Sequence, residues 1–344
     1  MKSVESGMQH LVFGAGLIGG YVGAALAHQG QSVGLIARDR IVQRWQDGLR
    51  LSDYRGNKSM ALKPLLFGED WRNHASPCDV LWLTVKCTGV QDAAEEMAPL
   101  IAPHTLILCC QNGLSADAIV KRIYPNNRVL RVMVPFNVVE ERPGYLHRGS
   151  EGALNIEKPV DAEDIARLVK QLNNKLLPVK TCKDMTALQW AKLQLNLGNA
   201  VNALANVPVH YMLRQRGYRM VLAALMAELL SVAQHKSLSL PRLTALPPTW
   251  LPGLLRQPDW LFKLLANSML AIDPKVRTSM WWDLHLQRPT EIAFLNGALV
   301  DEAVALGLPC PVNRAIVRLI GDVEAGRSQW GLTPSQLQSA VGLL

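Results

Sequence analysis

The sequence predicts an α/β chain in two parts, a doubly wound and mainly parallel sheet followed by a mainly α-helical domain. Three observations point there. A glycine-rich turn, Gly14-Ala15-Gly16-Leu17-Ile18-Gly19, stands between the apolar run Leu11-Val12-Phe13 and the helix-like stretch from Gly20 to Gln29. Short apolar runs then alternate with helix-like segments through the first half, as they do where helices cover both faces of a parallel sheet. From Lys183 onward the strand signals stop and helical periodicity takes over. Residues 1–182 therefore read as an N-terminal Rossmann-type dinucleotide-binding domain, and residues 183–344 as a helical C-terminal domain. At 344 residues the chain is long enough for two cores.

In order, the strands are expected at Leu11-Val12-Phe13, at Ser32 to Ala37, at Val80 to Val85, at Leu106-Ile107-Leu108 and at Val129 to Val134. The stretch Gly48 to Leu66, centred on Arg55-Gly56-Asn57, reads as an inserted hairpin. Tyr145 to Glu157 is strand-rich and precedes a helix from Ala162 to Asn173 and a strand near Val179. Helices follow at about Met185 to Ala205, Tyr211 to His235, Leu261 to Ala271, Glu291 to Leu306 and Asn313 to Ala325. The Pro-rich stretch Pro241 to Pro258 reads as a loop inside the second domain.

The glycine turn carries the first functional signal. In a strand-turn-helix of this spacing the first glycine lets the chain turn. The second lets backbone approach a pyrophosphate, and the third lets helix and strand pack closely. The helix N-terminus presents amide hydrogens to anionic oxygens. At the end of the second strand, where an NAD site places a carboxylate against the ribose 2′-hydroxyl, this chain has Arg38. A guanidinium cannot accept that hydroxyl's hydrogen bond but matches a 2′-phosphate in charge and geometry, so NADP(H) is the expected cofactor. Asp39, one residue later, is expected to cap the next helix.

Composition narrows the rest. An excess of 36 Lys and Arg over 28 Asp and Glu gives a net charge of +8, which draws in phosphates and small carboxylates. No dense basic run accompanies it. Arg214, Arg216 and Arg219 read as a solvated helix face, so no nucleic-acid partner is expected. The six cysteines show neither paired CxxC nor metal-ligand spacing, which suits free thiols in a reducing compartment and no metal. Met1 to Gly7 lacks a signal peptide's apolar core. The longest apolar stretch, Val221 to Ala233, is interrupted by Glu228 and too short to span a bilayer. A cytoplasmic protein without membrane partners is expected, with monomer and homodimer both open.

On the first helix of the second domain, Lys192, Asn196 and Asn199 stand at i, i+4 and i+7 and so share one face. Facing solvent, they mean little. Facing a cleft, one ammonium and two carboxamides can bind a 2-oxo acid and protonate a nascent alkoxide.

With Trp190-Ala191-Lys192-Leu193-Gln194-Leu195-Asn196 in view, the chain resembles the ketopantoate reductase (2-dehydropantoate 2-reductase) family, whose second domain opens with a W-x-K-L-x-x-N helix. The resemblance runs end to end. It takes in the glycine turn, Arg38, Val85-Lys86, Gln111-Asn112-Gly113, Ser279-Met280, Thr290 to Gly297 and Pro311-Val312-Asn313. It implies NADPH-dependent reduction of a 2-oxo acid, ketopantoate to pantoate in that family. Lys192 would then be the proton donor and Asn196 and Ser279 substrate ligands, with Asn199 or Asn202 taking the place of a second asparagine. Asn112 would lie beside nicotinamide ribose and substrate, Glu291 would bridge cofactor and substrate hydroxyls, and Arg38 and Lys86 would hold the adenosine end. Three departures bear on the substrate: Ala200 where the family has a second asparagine, Ala293 in place of an acid, and the Pro-rich loop with Trp281-Trp282. Another hydroxyacid or sugar-acid dehydrogenase of the same plan, or a non-catalytic NADP(H) sensor, are the alternatives.

Overall fold

The computed structural model describes residues 8–74, 76–160, 162–266, 270 and 274–344. Residues 1–7, read above for a signal peptide, and residues 267–269 and 271 of the expected helix 261–271 lie outside the described residues. The chain divides into two compact units, the first ending at Met185 and the second beginning at Thr186.

The first unit is built on strands β1 (Gln9–Phe13), β2 (Ser32–Ile36), β3 (Arg50–Asp53), β4 (Leu65–Phe67), β5 (Val80–Leu83), β6 (Leu106–Cys109), β7 (Arg128–Met133), β8 (Val138–Arg142), β9 (Tyr145–Arg148), β10 (Leu154–Glu157) and β11 (Val179–Cys182). Among the described residues the main sheet runs β11-β10-β7-β6-β5-β1-β2-β4. All its pairs are parallel except β10 on β7. Strand order therefore reverses between β1 and β5, and in such sheets ligands bind beyond the carboxyl ends at that point. Alternation along each strand fills both faces. Leu11, Phe13, Leu81, Leu83 and Ile107 join one apolar cluster, whereas Val12, Trp82 and Leu108 join the other. Helices α1 (Leu17–His28), α2 (Asp39–Arg44), α3 (Val90–Glu96), α4 (Ala116–Ile123) and α5 (Glu163–Leu172) connect the strands.

The expected hairpin over 48–66 is corrected. Antiparallel bridges do join Leu49 to Leu62 and Ser52 to Lys58. However, β3 pairs in parallel with β9 in a separate β3-β9-β8 sheet, and β4 joins the main sheet beside β2. A buried ion pair spans that pairing: Arg148 on β9 donates to Asp53 on β3 at 3.0 Å, with both side chains out of solvent. That pairing is long-range, so local sequence does not announce it.

In the second unit the expected helix 185–205 is broken into α6 (Met185–Asn196) and α7 (Gly198–Ala205), with Leu197 between them at φ −55°, ψ −28°. The expected helix from Tyr211 likewise splits into α8 (Val209–Arg214) and α9 (Arg216–His235). The Pro-rich stretch is not loop throughout. It holds a 3₁₀ turn Pro248–Trp250 and α10 (Leu251–Leu255), whose Leu251 and Leu255 are buried, and Pro248 O accepts the Gln194 amide of α6 at 2.8 Å. Helices α11 (Asp259–Leu265), Ser279–His285, Asn296–Ala305, Pro311–Glu324 and Pro334–Ala340 follow among the described residues.

Arg219 corrects the reading of a solvated basic face. Arg214 and Arg216 are exposed, but Arg219 is fully buried, donating to Asp259 and to the carbonyls of Leu213, Leu255 and Gln257. It fastens α9 to the Pro-rich segment and α11. Glu228, which interrupts the apolar stretch of α9, accepts the backbone N–H groups of Val312 and Asn313 and so caps the helix Pro311–Glu324 from outside. The cysteines in the described structure are free thiols.

Candidate active site

The glycine turn follows β1 at the point where the strand order reverses. Gly14 adopts φ +86°, and a Cβ there would lie 2.3 Å from Val85 Cγ1 and 2.9 Å from Val85 N. A Cβ on Gly19 would lie 2.3 Å from Thr84 Oγ1. Those two glycines serve the protein's own packing. Gly16 does not. Nothing lies within 4 Å of a Cβ placed on it, it is exposed, and as N-cap of α1 it leaves the first turn without a side-chain cap or an acidic residue. Its missing side chain therefore leaves an amide-bearing helix end open to an anion, as a pyrophosphate requires. Ala15 is buried and donates to Ile36 O at 2.8 Å, Ile18 packs on the core, and Leu17 is exposed.

Arg38 follows β2 and is exposed at the start of α2, with extended backbone. Asp39 is not the cap expected of it: no side chain caps α2, and Asp39 Oδ1 instead accepts the Glu69 N–H at 2.8 Å in the loop after β4. A Cβ on Gly68 would fall 2.2 Å from that oxygen, so the loop closes tightly on the carboxylate. Beyond β5, Lys86 is exposed and extended ahead of the 3₁₀ turn Cys87–Gly89. Beyond β6, Asn112 is half-buried and its carbonyl accepts the Cys87 thiol at 3.1 Å. The glycine turn, Lys86 and Asn112 thus gather at the carboxyl ends of β1, β5 and β6.

In the second unit Lys192, Asn196 and Asn199 are half-buried, whereas Ala191, Leu193, Gln194, Leu197 and Ala200 are buried. The bend at Leu197 keeps helical dihedrals, so the polar strip continues from α6 to α7. Thr278 Oγ1 lies 3.3 Å from Asn199 O and 3.1 Å from Asn202 Oδ1, and the Thr278 N–H donates to that same oxygen at 3.0 Å. Thr278 is also the N-cap of the helix Ser279–His285, accepting from Trp281 N. This tie brings exposed Ser279 beside the Asn199 turn. Asn202 is fully buried and donates to Val207 O at 2.6 Å, so it serves the fold and Asn199 remains the candidate ligand. Neither the helix at 279 nor its Thr278 cap was expected; a threonine before Ser279-Met280 is the residue type that announces one.

Glu291 is buried and precedes a 3₁₀ turn, Ile292–Phe294, rather than opening the expected helix, which begins only at Asn296. Its carbonyl accepts from Phe294 and Leu295, and the neighbouring Thr290 N–H is held by Glu324 at 2.7 Å. A first-turn acid stabilised by the helix dipole is therefore not its role. Among the described residues there is no cluster of His, Cys, Asp or Glu placed to hold a metal, and no helix long and apolar enough to cross a membrane.

Comparison with known proteins gives the family and the fold. The model of the family described as ketopantoate reductase PanE/ApbA matches residues 10–160, and that of its C-terminal domain matches residues 184–324. A 2-dehydropantoate 2-reductase from Archaeoglobus fulgidus is 23% identical over 325 residues, covering 92% of this chain and 97% of that one. The solved PanE/ApbA family ketopantoate reductase from Ralstonia eutropha JMP134 superposes with a TM-score of 0.76 at 28% identity, covering 94% of this chain and all of that one. A D-mandelate dehydrogenase solved with NADH and anilino(oxo)acetate shares the fold, with a TM-score of 0.76 at 19% identity over 93% of this chain and 99% of its own. With both family domains matched in order across most of its length, the chain belongs to the ketopantoate reductase family of oxidoreductases.

Proposed function

We propose that this protein reduces a 2-oxo acid to the 2-hydroxy acid with NADPH, and that 2-dehydropantoate is the substrate. The observation that carries the reading is the presence in one chain of an open, uncapped glycine turn at the strand-order reversal and of a lysine-asparagine strip tied to Thr278, the residue before Ser279. Relatives named 2-dehydropantoate 2-reductase support the choice of substrate.

Gly14 to Gly19 and the first amides of α1 hold the pyrophosphate, Arg38 and Lys86 the adenosine end with its 2′-phosphate, and Asn112 the nicotinamide ribose. When bound, the reduced nicotinamide supplies a hydride equivalent to the carbonyl carbon. Negative charge then grows on the carbonyl oxygen, and the Lys192 ammonium both stabilises and protonates it, regaining its proton from solvent. A positioned general acid of this kind contributes roughly 10²–10⁴-fold. Asn196, Asn199 and Ser279 orient the substrate by hydrogen bonds, and Glu291 accepts from hydroxyl groups. The balance is 2-oxo acid, NADPH and one proton going to 2-hydroxy acid and NADP⁺.

A dehydrogenase for a bulkier 2-oxo acid is the second reading. It is favoured by Trp281 and Trp282, which follow Ser279 on the same helix, Trp282 being half exposed. One experiment tests both: NADPH oxidation with a panel of 2-oxo acids, including ketopantoate and aromatic members, read as kcat/KM. Preference for an aromatic acid overturns the first substrate, and no turnover of any member overturns the reaction.

A further inference from the structure

We propose that Thr84 and Gln111 are positioning residues that hold the glycine turn in its nucleotide-binding shape, through a hydrogen-bonded tie across the carboxyl ends of β1, β5 and β6. The inference rests on the reading that this turn binds NADPH. Ladder pairing of β5 ends at Leu83 with β1 on one side and β6 on the other. Just beyond it, Thr84 Oγ1 lies 3.2 Å from Phe13 O and 3.1 Å from Gly14 O, so its one proton is shared between the two carbonyls that open the turn. From the other side the Gln111 carboxamide donates to Leu83 O at 2.8 Å and to Val85 O at 3.1 Å, gripping the carbonyls of the two residues that flank Thr84. Val85 in turn is the residue against which Gly14 is packed.

Glutamine suits this post because one NH₂ group supplies two donors to two carbonyls. An ionised glutamate offers only acceptors, and leucine offers neither. Its other end gives the role away. Gln111 Oε1 is buried and has no hydrogen-bond partner among the described residues, which costs about 1–3 kcal/mol of stability. A side chain retained only for folding is better replaced by an apolar one. One that fixes the backbone beside a ligand turn is worth that penalty.

The test is direct NADPH binding, followed by nucleotide fluorescence without turnover, in Thr84→Val, Thr84→Ser and Gln111→Leu, each with its melting temperature and its steady-state constants. Thr84→Val is expected to raise the NADPH Kd about five- to tenfold, the scale of one lost hydrogen bond, while KM for the 2-oxo acid stays within about twofold. Thr84→Ser restores the wild-type Kd. Gln111→Leu raises the Kd by a similar factor, and the double variant raises it by less than the product of the two, because both act on one segment. A Thr84→Val protein with wild-type Kd, or a serine variant as weak as valine, overturns the proposal. If the wild type binds NADPH and reduces no 2-oxo acid, the catalytic reading fails while the Kd series still decides this one. A wild type that binds neither NADPH nor NADH overturns both.

Discussion

Asp39 Oδ1 accepts the Glu69 backbone N–H at 2.8 Å, so the acid that follows Arg38 is committed to the protein's own loop. Arg38, two residues beyond the end of β2, is exposed. Replacing it with alanine removes a charge-assisted contact to a 2′-phosphate, and the NADPH Kd should rise roughly tenfold or more while that for NADH changes little. Equal losses for both nucleotides would remove the 2′-phosphate argument. Asp39→Ala should lower the melting temperature without weakening NADH binding; weaker NADH binding would show that the carboxylate meets the ribose after all.

Gly14 and Gly16 should separate by what their missing side chains serve. Gly14→Ala forces an alanine to φ +86° with its Cβ against Val85, and a stability loss of about 1–3 kcal/mol is expected. Gly16→Ala meets open space, so the melting temperature should hold within a degree or two while NADPH affinity falls at least about tenfold, because the methyl group stands where the pyrophosphate must approach. Thermal melts with and without NADPH check both. A Gly16→Ala protein that binds NADPH normally would mean the turn is only a turn.

How far the sequence carried differs between the halves for a physical reason. In the first unit the signals are local: apolar runs such as Leu81 to Leu83 and the glycine turn mark strands and their connection by themselves. The Rossmann-type order, and the places of the glycine turn, Lys86 and Asn112 beyond strand ends, were therefore legible. What was not legible depends on distant partners, as with Asp53 reaching Arg148 and Asp39 reaching Glu69. In the second unit periodicity found most of the helices but missed their breaks, because Leu197 and Gln215 interrupt the helices without a proline or glycine of their own. Arg219 looked solvated beside Arg214 and Arg216 because an arginine's burial depends on the carbonyls that surround it, and sequence does not display those.

Lys192 carries the chemistry in the proposed reaction. Lys192→Ala should lower kcat by roughly 10²–10⁴-fold with ketopantoate, with NADPH Kd unchanged within about threefold, since the amine belongs to the second unit and not to the glycine turn. Single-turnover rates at saturating NADPH measure this. A variant as fast as the wild type would falsify the assignment of the proton donor.

His10 gives a pH dependence of stability. Trp82 donates its indole N–H to His10 Nδ1 at 3.1 Å, so the neutral ring carries its proton on Nε2, and burial, opposed by Asp79, brings the ring's pKa down to about 4. In the unfolded chain the ring titrates near its ordinary 6.5. As pH falls from 6.5 to 4 the unfolded state takes up the proton first, so stability is lost across that window, on the order of 3 kcal/mol from this group, and levels off below it. Urea unfolding at pH 7 and pH 4.5 should show a smaller acid loss in His10→Asn than in the wild type. The same pH difference in both would assign the acid sensitivity elsewhere.

Asn199 and Asn202 stand one helical turn apart and should fail in opposite ways. Asn202 is fully buried, donates to Val207 O at 2.6 Å and accepts both the N–H and the hydroxyl of Thr278, so Asn202→Ala strands buried groups at the start of the helix that carries Ser279. A loss of about 2–4 kcal/mol of stability is expected, with activity falling only as the fold does. Asn199 is half-buried on the strip with Lys192 and Asn196, and the hydrogen bond that ties it to Thr278 uses its backbone carbonyl, which alanine keeps. Asn199→Ala should therefore melt like the wild type and show a KM for the 2-oxo acid raised about tenfold. If Asn199→Ala loses stability and keeps its KM, while Asn202→Ala does the reverse, the ligand and the structural asparagine have been exchanged, and the substrate contact belongs on the Thr278 side of α7.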